Sequence, residues 1–331
     1  MIAGEALSAW LDDREAQRGT DERIQAAARR WSADPSVVRL HRDVVEAPER
    51  TPESLFAAAR RFMDETAALE ALIGGMIADC RADPFFRPPF HPVASEVQDS
   101  LLLYNHPDLF VSLGVTGVDL LGAKKHRRKG PASINFTGFP TLMRFVRSGG
   151  ATLSFWEAPL ITDQFVAADA GTCRLVERRR IDDGEEFVVD GRHQSFVIEH
   201  AFSDIVFFQA VARAGCAMVG VEYDSESHQC IGASSTDEAS SRLQMMVSLM
   251  RVMGRDDAFP LLEEALASPQ FYTRWHVMRE MVAMDAEAAV PSLRRMAAGD
   301  PHPDVRTAAR RTLALIEADD GHAEGETACP A

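Results

Sequence analysis

Apolar positions set the first division of the chain. From Thr51 they recur at three-to-four spacing, through Leu55, Phe56, Ala59, Phe62, Met63, Leu69, Leu72, Ile73, Met76 and Ile77. That period predicts one long amphipathic helix. Thr51-Pro52-Glu53 supplies its start: a capping hydroxyl, a proline at the first position, where no N–H is needed, and an acid beside the positive end of the helix dipole. Asp83-Pro84 and then Pro88-Pro89 forbid continuation. Shorter helical stretches near 4–16 and 20–32 precede it, so residues 1–90 read as a helical N-terminal region.

From about Val93 the pattern turns to short apolar runs bounded by Gly, Pro, Asn and Asp. Leu101 to Tyr104, Leu109 to Leu113, Ser133 to Phe136 and Ala151 to Trp156 are predicted strands; 116–124 or 140–147 could form a short helix. Six further strands follow: Cys173 to Ile181, Phe187 to Val189, Ser195 to Glu199, Ile205 to Val211, Ala217 to Tyr223 and Gln229 to Ala233. Asp190-Gly191, between two apolar runs, is a hairpin signal. Evenly spaced short strands with tight turns predict an antiparallel sandwich or barrel over residues 91–235.

A third pattern begins near residue 236. Arg242, Arg274 and Arg306 stand 32 apart, and the same offset links Met245, Val277 and Ala309, then Leu249, Met281 and Leu313, then Val252, Met284 and Ile316. Ala258-Phe259-Pro260-Leu261-Leu262 is echoed by Val290-Pro291-Ser292-Leu293. Several registers sharing one period mark a repeat of helical hairpins, which must stack to bury their apolar faces. Ala289-Val290-Pro291-Ser292-Leu293, then Asp300-Pro301-His302-Pro303-Asp304-Val305-Arg306, then Ala308-Ala309 and Leu313, resembles a HEAT repeat. The middle unit departs from the pattern, with Ser268-Pro269 for Asp-Pro and Thr273-Arg274 for Val-Arg. The resemblance implies stacked hairpins over 236–318 and a tendency to bind a protein or peptide partner. From Asp319 the chain is acidic and small-residue-rich and reads as a disordered tail, 319–331.

The β-rich region carries a second resemblance. Asp183-Gly184-Glu185 followed by Val188-Val189-Asp190-Gly191-Arg192-His193 is similar to the second motif of the cupins. That implies a cupin-like barrel, with a histidine metal ligand at the His193 position. The spacing from Gly to His is short, Asp190 stands where the motif has Pro, and Thr152 to Ile181 holds no histidine to build the first motif, His-x-His. The fold class expected is therefore α+β: N-terminal helices, a central antiparallel cupin-like β-sandwich or barrel, and C-terminal HEAT-type hairpins. No bound cofactor is expected. The alternative is iron or another divalent metal held by His193 with His91 or His106, histidines that each precede a proline.

Composition narrows the functions. The chain has 331 residues, 46% hydrophobic, with 35 basic and 50 acidic side chains and a net charge of −15. So acidic a surface repels phosphate backbones, and Arg242 to Ala318 balances ten arginines against ten acids, so nucleic acid is disfavoured as a partner. The one compact basic run, Lys124 to Lys129, reads as a solvated loop or an anion contact. No apolar run approaches the roughly 20 residues that span a bilayer, and Met1 to Asp13 has no leader pattern. Five cysteines, Cys80, Cys173, Cys216, Cys230 and Cys329, include no C-x-x-C pair; reduced thiols in a cytoplasmic protein are expected.

Remaining candidates are few. Arg178 and Arg180 share a strand face and could hold a carboxylate or phosphate, or face solvent. Trp156, in Phe155-Trp156-Glu157, is a core residue or a ligand platform. Glu199 and His200, being adjacent on a strand, point to opposite faces, and parity groups His193 with Glu199. His276 and Glu280 lie four apart on a helix and share a face. No phosphate-binding loop and no Gly-x-Ser-x-Gly elbow occurs. The leading expectation is a non-catalytic ligand-binding or protein-interaction protein; the alternative is a cupin-type metal enzyme, an oxygenase or isomerase.

Overall fold

A computed structural model describes residues 4–95, 97–127, 132–162 and 165–325. The chain divides into two compact units. The first comprises Met1–Ala132, Phe139–Trp156 and Leu175–Cys216; the second comprises Ser133–Gly138, Glu157–Arg174 and Ala217–Ala331.

The first unit opens with helices α1 (Gly4–Asp12), α2 (Arg14–Ser32), α3 (Pro35–Val45), α4 (Pro52–Met63) and α5 (Thr66–Ala82). The single helix expected from Thr51 is two helices. Glu65 leaves helical geometry (φ −85°, ψ 51°), and both carboxylates at the break are engaged elsewhere. Asp64 accepts from Arg144 at 2.6 Å and Glu65 pairs with Arg39. Thr51 does cap α4, accepting from the Ser54 amide.

Strands β1 (His91–Ala94), β2 (Gln98–Asn105), β3 (Leu109–Thr116), β5 (Pro140–Arg147), β8 (Glu186–Asp190) and β10 (Ile205–Ala212) form a six-stranded sheet in the order β1-β2-β3-β10-β5-β8. All its pairings are antiparallel. Helix α6 (Val118–Arg127) follows β3, so 116–124 does hold a helix. The other helix option, 140–147, is the central strand β5. Its residues are buried on both faces, and a doubly covered strand shows a continuous apolar run instead of alternation.

One face of this sheet, through Leu103, Tyr104, Leu142, Phe208 and Ala210, packs on Trp31, Leu40, Val44, Phe56 and Phe62 of the helices. The other, through Met143, Phe145 and Phe207, packs on Leu153, Phe155, Phe196 and Ile198. Those residues belong to a three-stranded sheet, β7-β6-β9, of β6 (Thr152–Glu157), β7 (Arg174–Arg180) and β9 (Gln194–His200). Of the sandwich or barrel expected, the two packed sheets form the sandwich; they do not close into a barrel, since β8 pairs only with β5, at the edge of its own sheet, and β9 with β6. Asp190-Gly191 is consequently a corner between sheets and not a hairpin. Gly191 is absent from the residues with positive φ, which the expected tight turn demands. The Asp190 carboxylate instead takes the Arg192 amide and guanidinium at 2.7–3.2 Å.

The β5–β6 link requires glycine. Gly149 has φ +59°, and a Cβ there would lie 2.2 Å from the Ser203 carbonyl oxygen. Gly149→Ala is expected to lower stability by roughly 2 kcal/mol through left-handed strain and displaced backbone, read as a fall in the denaturation midpoint.

In the second unit, β4 (Ser133–Phe136), β11 (Val219–Asp224) and β12 (Cys230–Ser235) form a sheet in the order β12-β11-β4. Buried Tyr223 donates its hydroxyl to the Ala170 carbonyl at 2.6 Å. Helices α7 (Glu238–Val252), α8 (Phe259–Ala265), α9 (Phe271–Met284), α10 (Ala286–Gly299) and α11 (Pro303–Gly325) follow. The repeat arginines explain part of the period. Arg274 donates to the carbonyls six and five residues before it, Ser268 and Pro269, and Arg306 does the same to Asp300 and Pro301. Arg242, in the first hairpin, pairs with Glu238 instead. The span read as an acidic tail coincides up to Gly325 with the end of α11; 326–331 lie outside the described residues.

Candidate functional site

The positions singled out in the β-rich region do not converge. On β7, Arg178 is exposed and lies 3.5 Å from Glu199, and Arg180 is exposed. Arg179, on the opposite face, stacks its guanidinium 4.9 Å from the Phe155 ring centre and pairs with Glu185. Trp156 is buried and donates to Ser154 Oγ at 3.0 Å. His193 follows the β8 corner with Nδ1 3.5 Å from Asp190 Oδ2, whereas exposed His91 is on β1 at the other edge of the six-stranded sheet. Five strand spacings of about 4.8 Å separate those edges. Among the described residues, no three His, Cys, Asp or Glu side chains gather as metal ligands. His106 Nδ1 accepts from the Asp108 amide at 3.2 Å. Burial, and then Asp108, push the nearby Tyr104 hydroxyl up to about 12; it shares a hydrogen bond of 3.1 Å with His41 Nδ1. The side chains of Lys124 to Lys129 lie outside the described residues. The Cys173 thiol is buried and raised to about 11 by that burial, the opposite of a reactive thiolate.

The second unit does form a site. A cleft of about 770 Å³ is lined by β12 at Ala233, Ser234 and Ser235, by α7 at Ser241 and Gln244, by α9 at Phe271, Tyr272, Trp275, His276 and Arg279, and by α11 at Asp304, Thr307, Ala308 and Arg311. The repeat builds it: Tyr272 and Asp304, Trp275 and Thr307, His276 and Ala308, and Arg279 and Arg311 are each 32 apart. Equivalent positions on successive helices line one continuous surface.

Its polar groups are fixed on one side and open on the other. The hydroxyls of Tyr272 and Ser235 are 2.9 Å apart, tying α9 to β12. His276 Nε2 lies 2.9 Å from Ser248 Oγ and 3.2 Å from the Gln244 carbonyl oxygen. Glu280, one turn on, accepts from Ser248 and Arg251; burial raises its carboxyl, but those two donors outweigh it and leave it below the usual range. Arg279 and Arg311 are exposed and make no ion pair among the described residues. The sequence marked this pair only through the repeat period, since each arginine alone resembles any solvated helix residue.

The family model for HEAT repeats matches residues 233–314. No curated protein matches the chain. Similar solved structures include ectoine synthase from P. lautus, 9% identical over 44% of this chain and 85% of that one, with a TM-score of 0.22. They also include an RmlC-like cupin from Shewanella frigidimarina (6%, 37% of this chain and 83% of that one, TM-score 0.22) and a cupin domain from Bordetella pertussis (8%, 37% and 98%, TM-score 0.22). No helix among the described residues is long and apolar enough to cross a membrane.

Proposed function

We propose that this is a non-catalytic docking protein whose HEAT hairpins take a segment of a partner protein in the α7–α9–α11 cleft. The observation that carries it is the pairing of an aromatic floor, Phe271, Tyr272 and Trp275, with two arginines that make no ion pair among the described residues. A cleft of this volume falls within the ~300–1,000 Å³ of typical ligand sites, room for two or three side chains of an extended segment. The apolar side chain of such a segment would cover Trp275, and an acidic one would meet Arg279 and Arg311, which grip a carboxylate in two-pronged fashion. Less supports the metal-dependent enzyme alternative: His91 and His193 stand at opposite edges of the six-stranded sheet, and no three potential ligands gather among the described residues.

Selection from a displayed peptide library against the full chain tests this reading. Acidic residues next to an aromatic or aliphatic one should be enriched, and the peptides should change Trp275 fluorescence. Arg279→Glu with Arg311→Glu should weaken binding about tenfold or more. Peptides of neutral or basic character, or affinity unchanged by the double reversal, would rule the cleft out.

A further inference from the structure

The first hairpin of the repeat region presents an apolar face left open. α7 is apolar on two sides. Leu243, Val247 and Met250 join Val277 and Met281 of α9 in one core cluster. Met245 (66% exposed), Leu249 (55%) and Val252 (72%) form the other side, flanked by Met246, Met253 and, on α8, Leu261, all exposed. The repeat register shows what such a face does elsewhere. Val277 and Met281, 32 residues on, and Ala309, 64 residues on from Met245, are fully buried in the clusters between hairpins. Met245, Leu249 and Val252 are the same stacking surface with no hairpin before it. The far end differs: Thr307, Arg311 and Ala314, 64 residues on from Leu243, Val247 and Met250, make an exposed, mostly polar cap, as a terminal repeat should.

We propose that a second copy of this chain closes the face, α7 against α7 about a two-fold axis. Head-to-tail stacking is ruled out by the polar cap on α11, because the apolar end would meet Arg311. An apolar end can match only another apolar end, which is an isologous contact. The six side chains expose roughly 600 Å² per copy at about 100 Å² each, so that the pair reaches the lower bound of a standard interface, about 1,200 Å². Met245, Leu249 and Val252 follow the alternating four-three spacing of a helix-pairing seam.

Sedimentation velocity on the full chain tests the proposal. At micromolar concentration the mass should be twice 36.4 kDa. Leu249→Glu should raise the dissociation constant about a hundredfold, since each dimer then buries two carboxylates. Leu315→Glu, at an exposed site on α11, should leave it unchanged. Hydroxyl-radical oxidation of the wild-type chain gives a readout that needs no variant: Met245 and Met253 should be protected at dimer concentrations and exposed on dilution. A monomer at about 100 µM, where contacts of this size associate, would overturn the proposal. So would a dimer indifferent to Leu249→Glu, or protection of both methionines that does not depend on concentration, as when another part of the same chain covers them.

Discussion

Arg274→Ala is expected to cost the repeat region about 3–5 kcal/mol, the usual penalty for stranding one member of a buried ion pair. Arg274 holds Asp300 through two bonds of 2.7 and 2.8 Å, with only 11% and 4% of the two side chains exposed. The arginine also donates to the Ser268 and Pro269 carbonyls, so truncation leaves a carboxylate and two carbonyls short of donors at once. Chemical denaturation followed by circular dichroism measures the loss. Acid titration adds an independent sign. Burial pushes the Asp300 carboxyl up, but Arg274 and the His302 amide outweigh it and hold it below the ordinary 3.8. A carboxyl lowered on folding contributes stability that is complete above its unfolded value and is lost as pH falls through its folded value. The wild-type chain should therefore keep this contribution down to about pH 4 and lose it below. In Arg274→Ala burial is no longer opposed by the guanidinium, so the Asp300 carboxyl rises and its acid-induced loss should shrink or reverse, because protonation then relieves a buried unpaired charge. An unchanged acid limb in the variant would show that Asp300 does not depend on Arg274.

The parts legible in the sequence were those that local spacing determines. The 32-residue period needed only equivalent helix positions, and the structure shows why Arg274 and Arg306 keep it: both clasp the loop before their own helix. The HEAT hairpins and the antiparallel strands followed from period and turn residues. What was not legible depended on distant partners. Asp34-Pro35 starts α3 just as Thr51-Pro52 starts α4, yet α3 is short, and its apolar stripe gains meaning only when Leu40 and Val44 meet the sheet. The break at Asp64 and Glu65 is fixed by arginines from β5 and α3. Whether strands close into a barrel is decided by which edges pair, and Asp190-Gly191 carries the same letters at a corner as in a hairpin. The cupin-type motif at Asp183 to His193 thus marked a real turn, with Asp190 clasping Arg192. The cleft escaped because no single residue in it is unusual; only superposing one repeat on the next sets Arg279 beside Arg311 and Trp275 in their floor.

Phe145→Ala is expected to destabilise the first unit by about 3–5 kcal/mol, and the size of that loss bears on function. Phe145 is 1% exposed between the two sheets, its ring centre 5.7 Å from that of Phe187 and 6.2 Å from that of Phe207. Phe187 in turn contacts Phe155 at 5.2 Å and Phe196 at 5.4 Å in edge-to-face geometry. A sandwich that kept a ligand chamber between its sheets would have space here, and trimming one wall would cost little beyond the transfer of a few methylene equivalents. Interlocked aromatic rings fill the space around Phe145, so truncation opens a dry cavity and forfeits ring contacts on several sides. The variant should consequently show a rise in melting temperature with benzene or indole, which bind apolar cavities of this kind, and the wild-type chain should show none. A large loss with ligand rescue would identify the sandwich as a packed support, leaving binding to the repeat region. A loss under about 1 kcal/mol, or a wild-type chain itself stabilised by small aromatics, would show a chamber between the sheets and give the first unit a binding role of its own.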